Sequence, residues 1–144
     1  MFRILVFAII FLAFSACAQA KEQTIIPIDF NGKWQNTLGS ELHFFVKNGQ
    51  VIGTYNTNVG EPDRSKSFPL RGQSQGDQIV FTVNFKKYGS MTAWVGQVTQ
   101  DQNGTPYLRT MWHNTKDIKD TEEAENIWGS IRTGASEFRR VKRP

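Results

Sequence analysis

The chain has 144 residues, with 17 Lys plus Arg against 13 Asp plus Glu, two His, one Cys and 39% apolar residues. That length holds one domain able to bury about two thirds of its unfolded surface, and a single cysteine with two histidines excludes an internal disulfide and the usual zinc-ligand sets. The net charge of +4 is scattered along the chain apart from the tail Arg139, Arg140, Lys142, Arg143, which argues against a nucleic-acid partner.

Residues 1–20 read as a cleavable export signal. Met1-Phe2-Arg3 precedes an apolar run from Ile4 to Phe14 that is too short to span a bilayer as a helix. Ala18-Gln19-Ala20 then offers small residues at alternate positions, as a signal peptidase requires. The expected product starts at Lys21, is secreted or periplasmic, and has no membrane attachment once cleaved. A rival reading rests on Phe14-Ser15-Ala16-Cys17, which approximates a lipobox and would place a lipid on Cys17.

Residues 21–144 form one domain. From Asn31 onward, apolar and polar residues alternate in short runs separated by turn chemistry, the period of half-buried strands. The runs are Gly32 to Thr37, Glu41 to Lys47, Val51 to Thr57, Ser67 to Gln73, Gln78 to Lys87, Ser90 to Gln100, Pro106 to Asn114 and Gly129 to Val141. Asn48-Gly49 and Asn103-Gly104 carry the pair whose tolerance of positive φ suits tight hairpins. Asn58 to Lys66 reads as a long loop, and Lys116 to Asn126 as a polar connector with one helical turn. Eight short strands at regular spacing predict an all-β, eight-stranded antiparallel up-and-down barrel, because closure removes exposed edges.

Alternate side chains of a barrel strand face inward. The parity that suits an enclosed pocket collects Trp34 with Asn36, Tyr55 with Thr57, Ile79, Phe81, Val83 and Phe85, then Ser90, Thr92 and Trp94. Leu108, Thr110 and Trp112 follow, and then Ser136 with Phe138. This predicted lining mixes aromatics with hydroxyls and one amide, and contains no His, Lys, Asp or Glu. Such a surface recognises a ligand and is poorly equipped for proton transfer. His43 and His113 fall on outward registers with no nucleophile motif beside them, and the acidic cluster Asp117, Asp120, Glu122, Glu123, Glu125 reads as a solvated connector. No catalytic residue, metal or cofactor is nominated. Val80 and Val95 fall on outward faces.

Several segments are similar, in order and spacing, to the avidin and streptavidin family of biotin-binding proteins. They are Gly32-Lys33-Trp34-Gln35-Asn36-Thr37-Leu38-Gly39-Ser40, Gly53-Thr54-Tyr55, Phe81-Thr82-Val83-Asn84-Phe85-Lys86, Ser90-Met91-Thr92-Ala93-Trp94-Val95-Gly96-Gln97, Thr110-Met111-Trp112, and Trp128 ahead of a closing strand that ends in Phe138. The resemblance implies an exported biotin binder that is not an enzyme and needs no cofactor. It implies that Asn36, Ser40 and Tyr55 donate to the ureido carbonyl oxygen of biotin, that Thr57 accepts from a ureido N–H, and that Thr92 touches the thioether sulfur. Ser90 and the loop Asn58 to Ser67 correspond to the region holding the valerate carboxylate, and Phe85, Trp94 and Trp112 to the apolar box around the rings. Trp128 corresponds to a residue that caps biotin in a neighbouring subunit, so a homotetramer is expected, with a dimer as the second choice.

The sequence departs from that pattern at Ser136, where better-known members carry Asp or Asn, and at Phe85, which replaces a Trp. Asn114 places an amide where a leucine often packs, and the Asn58 to Ser67 loop carries Glu61, with Arg64 and Lys66 nearby in sequence. Two other classes compete with this reading. An exported barrel inhibiting a protease through its loops would need neither Trp128 nor the hydroxyl set. A lipocalin-like carrier of another apolar ligand would have a greasier lining.

Overall fold

The structure is a computed structural model that describes residues 28–60 and 66–141. The expectations for the leader, for Cys17 and for Glu61 and Arg64 fall outside those residues. The strands are β1 (Gly32–Asn36), β2 (Glu41–Lys47), β3 (Gln50–Asn56), β4 (Phe68–Gln75), β5 (Gln78–Asn84), β6 (Ser90–Gln100), β7 (Pro106–Lys116) and β8 (Ile131–Arg140), with a four-residue helix α1 (Ile127–Ser130) before the last. Each strand pairs antiparallel with the next, and β8 pairs with β1, closing the barrel. The expected fold is therefore the observed one.

Most strand ends shift by a residue or more from expectation, and three local differences shape the open end. β5 stops at Asn84 because the Asn84 side-chain oxygen takes the Lys86 N–H at 2.6 Å. Lys86 then adopts φ 50°, and the chain coils into a 3-10 turn over Lys86–Tyr88. β7 runs on to Lys116, paired with Ser90 of β6. The helical turn lies just beyond Asn126, whose side chain caps α1 by accepting from the Gly129 N–H at 2.9 Å, the usual service of an asparagine at a helix start.

The two ends of the barrel are built differently. At one end the connections are short. Asn48 and Gly49 turn β2 into β3 with φ 51° and 75°, the positive pair a type I′ hairpin needs. The second Asn-Gly pair behaves otherwise: only Gly104 has positive φ, 75°. That loop is organised by Asp101, whose Oδ1 accepts the Asn103 and Thr105 N–H groups at 3.0 Å each. The segment before β1 crosses this end and plugs it with Phe30, whose carbonyl accepts from the Trp34 indole at 2.9 Å. Arg140 lies over the Trp34 ring at 4.7 Å and donates to the Asn31 and Asp29 carbonyls.

Above that plug the barrel is solid. Leu42, Phe44, Leu70, Phe81, Leu108 and Phe138 are fully buried, each contributing about 1.5–3 kcal/mol by leaving water. Phe44 meets Phe81 edge-on at 5.1 Å, and Phe81 stacks on Trp94 at 5.1 Å. Apolar packing therefore fills the plugged half, and the remaining interior opens at the other end, where the β1–β2, β3–β4, β5–β6 and β7–β8 connections lie.

Candidate functional site

The open end holds a cavity of about 530 Å³, a size suited to one small ligand. Ten of the expected site residues line it: Asn36, Ser40, Tyr55, Thr57, Phe85, Ser90, Thr92, Trp94, Trp112 and Ser136. Trp128 does not. It sits on α1, outside its own barrel's cavity and 87% exposed.

Bonds to the protein decide what each polar group has left to offer. Asn36 ends β1, and its Oδ1 accepts from Leu38 N at 3.1 Å and Ser40 N at 2.8 Å, shaping the β1–β2 connection. With its oxygen so engaged, its Nδ2 remains as a donor. Ser40 is fully buried, and its Oγ accepts from Asn58 N at 2.9 Å, which leaves its hydrogen to give. The Tyr55 ring is wedged against Phe85 at 6.0 Å and Trp94 at 5.2 Å. Burial pushes the Tyr55 phenol above its ordinary pKa, against the opposing pull of the Ser40 and Thr57 hydroxyls beside it, so its proton is retained at neutral pH. Thr57 is the reverse case. Its hydroxyl donates to the Val59 carbonyl at 3.0 Å and accepts the Val59 N–H at 3.1 Å, and its uncommitted capacity is that of an acceptor.

Three donors and one acceptor thus share a wall of the cavity. Such an array fits a polar head that presents a carbonyl oxygen beside an N–H. Phe85, Trp94 and Trp112 line the same cavity, and their rings suit a compact apolar ring system.

The lining also corrects one expectation. Lys116 and Arg132 border the cavity, so it is not free of cationic side chains. Lys116 joins because β7 extends two residues past Asn114 on the same parity as Trp112 and Asn114; alternation would have found it had the strand been drawn to its full length. Arg132 enters from the start of β8. Tyr88 enters from the 3-10 turn, which strand periodicity could not signal. His43 and His113 are exposed, as expected. Among the described residues, no group of three His, Cys, Asp or Glu is placed to hold a metal ion.

A larger concavity of about 820 Å³ lies on the outer wall, against Val80, Val95, Met111 and Ala135. These four stand opposite one another in successive strand pairs, Val80 with Val95, Val95 with Met111 and Met111 with Ala135. They form an apolar row facing outward, with Val95 59% and Met111 55% exposed.

Comparison with known proteins agrees with the barrel. The chain is 33% identical to avidin of Gallus gallus over 120 residues, 77% of each chain, and 32% identical to avidin-related protein 4/5 of the same organism over 117 residues, 76% of each. Among solved structures it resembles xenavidin, with TM-score 0.66 and 31% identity over 78% of this chain and 97% of that one. It also resembles a biotin-binding protein from chicken, with TM-score 0.68 and 30% identity over 79% and 97%. A sequence profile described as the Avidin family matches residues 24–141, from before the Phe30 plug to the end of β8, and with the closed eight-stranded barrel and its one-ended cavity this means that the chain belongs to the avidin family.

Proposed function

We propose that this protein binds biotin non-covalently in the open-end cavity and holds it without altering it. The observation that carries the reading is the fixed polarity of Asn36, Ser40, Tyr55 and Thr57. A ureido group offers one strong acceptor oxygen and two N–H donors. Asn36 Nδ2 and the Ser40 and Tyr55 hydroxyls supply donors for the oxygen, and Thr57 accepts from one N–H. Three donors on one carbonyl oxygen polarise the ureido group and strengthen its N–H bonds in turn. Ser136 is the acceptor assigned to the second N–H, Thr92 touches the sulfur, and Ser90 with the β3–β4 loop receives the carboxylate. The bicyclic ring lies among Phe85, Trp94 and Trp112. One of the similar solved structures is itself a biotin-binding protein.

The same reading makes the protein an exported homotetramer. Its apolar outer row supports self-association, because a monomer leaves Val80, Val95 and Met111 in water and symmetric pairing would remove them. Trp128, turned away from its own cavity, is then free to cap the ligand of a neighbour. Retention of the refolded protein on biotin-agarose, followed by elution with free biotin, tests the binding. Passage through the column without retention would overturn it.

A further inference from the structure

Asn114 stands on β7 beside the cavity, at the level of the two β6 hydroxyls. Its Nδ2 lies 2.8 Å from Ser90 Oγ, 2.7 Å from Thr92 Oγ1 and 3.2 Å from the Met91 carbonyl oxygen. The carbonyl settles which way the amide is turned, since the amide oxygen in that place would set two acceptors against each other at 3.2 Å. An NH2 group carries two hydrogens. The two shortest contacts are to the hydroxyls, so each hydroxyl oxygen has a lone pair occupied by Asn114. Among the described residues neither hydroxyl donates to another protein group, and both side chains line the cavity. Their hydrogens are therefore left for whatever occupies it. A hydroxyl beside a leucine would be free to rotate and serve as donor or acceptor; these two are committed.

We propose that Asn114 is a positioning residue that fixes Ser90 and Thr92 as donors toward the cavity, and that it makes the site select ligands bearing an acceptor at both places. Given the biotin reading, on which this inference rests, those acceptors are the thioether sulfur at Thr92 and the free carboxylate at Ser90. The cations Lys116 and Arg132 on the same rim favour the ionised acid over its neutral derivatives. The selected ligand is the free vitamin, in preference to its sulfur-free or esterified forms.

The test compares Kd values of the intact protein and of Asn114→Leu for biotin, for desthiobiotin, which lacks the sulfur, and for biotin methyl ester, which lacks the charge. Asn114→Leu is expected to weaken biotin about tenfold and each of the other two about threefold or less, so that the preference for biotin shrinks. Asn114→Asp is close to isosteric and keeps the position polar. Its carboxylate only accepts and would draw both hydroxyl hydrogens away from the ligand, so the preference should shrink further, and this variant decides the matter if Asn114→Leu does not fold. An equal loss for all three ligands, or none, would show Asn114 to be merely structural and overturn the inference while leaving biotin binding intact. Failure of the unmodified protein to bind any of the three would overturn both.

Discussion

Trp112 and Gly134 stand opposite each other across β7 and β8, and the indole occupies the space a side chain at 134 would need. A Cβ built on Gly134 would lie 2.8 Å from Trp112 Cε2 and closer still to Cζ2. The missing side chain on β8 is thus what lets Trp112 lie flat along the cavity wall. Gly134→Ala is expected to push the indole out of place, costing about 1–3 kcal/mol as overpacking does. Thermal unfolding and biotin affinity measured together would check this, with both expected to fall; an unchanged affinity would mean that Trp112 does not form the ligand wall.

Tyr55→Phe keeps a ring that Phe85 and Trp94 already hold and removes only the hydroxyl. Affinity for biotin should fall about tenfold, within the roughly 0.5–1.5 kcal/mol net worth of a neutral hydrogen bond. Because burial raises the phenol pKa, the stability tied to its neutral form is fully present below the ordinary phenol value of about 10 and is lost as pH rises through the higher folded value. Binding by the unmodified protein should be level from about pH 5 to 9 and decline only in strong alkali. Tyr55→Phe should be weaker throughout and lack that part of the alkaline decline. Calorimetry across the pH series would check both.

Ser136 lines the cavity with a neutral hydroxyl where a charged acceptor would bind an N–H about twice as strongly. Ser136→Asp is expected to slow the release of labelled biotin by about ten- to thirtyfold, the equivalent of 1.4 to 2 kcal/mol. Arg132, on the same strand and the same rim, offers the new carboxylate a counter-charge. Unchanged or faster release would mean that Ser136 does not face the ureido group.

The capping role proposed for Trp128 is tied to assembly. In the proposed tetramer, Trp128→Ala should cost about 2–4 kcal/mol of biotin affinity, as loss of an interface hot spot does. A charge placed in the outer apolar row, as in Val95→Arg or Met111→Glu, should shift the light-scattering mass toward the monomer. In that background Trp128→Ala should have no additional effect. A full effect in the monomer would show that Trp128 acts within its own barrel.

Export followed by cleavage after Ala20 should leave Lys21 as the first residue of the product. Intact-mass analysis of secreted protein checks this, and a diacylglyceryl adduct on Cys17 would establish the lipobox reading instead.

The sequence by itself determined the barrel, because a period of two is written residue by residue. The set Ile79, Phe81, Val83, Phe85 can face only one way at once, and Asn48-Gly49 can turn the chain where few other pairs could. The same parity placed nine of the ten cavity-lining candidates on the inner face, and Ser40, which lies in the β1–β2 connection, came from the family resemblance alone. Tertiary structure alone decided which of those inner positions are packed and which remain open, since Phe30, on a segment with no strand pattern, plugs one end against Trp34 of β1. It also decided the charge of the rim and the polarity of the site. Lys116 and Arg132 reach the cavity through how far β7 runs and where β8 starts. Whether Asn36, Ser40, Thr57, Ser90 or Thr92 offers a donor or an acceptor depends on bonds to Leu38, Asn58, Val59 and Asn114, which meet them only once the loops and strands have closed around the open end. A hydroxyl carries both capacities in the sequence, and only its neighbours in space use one of them up.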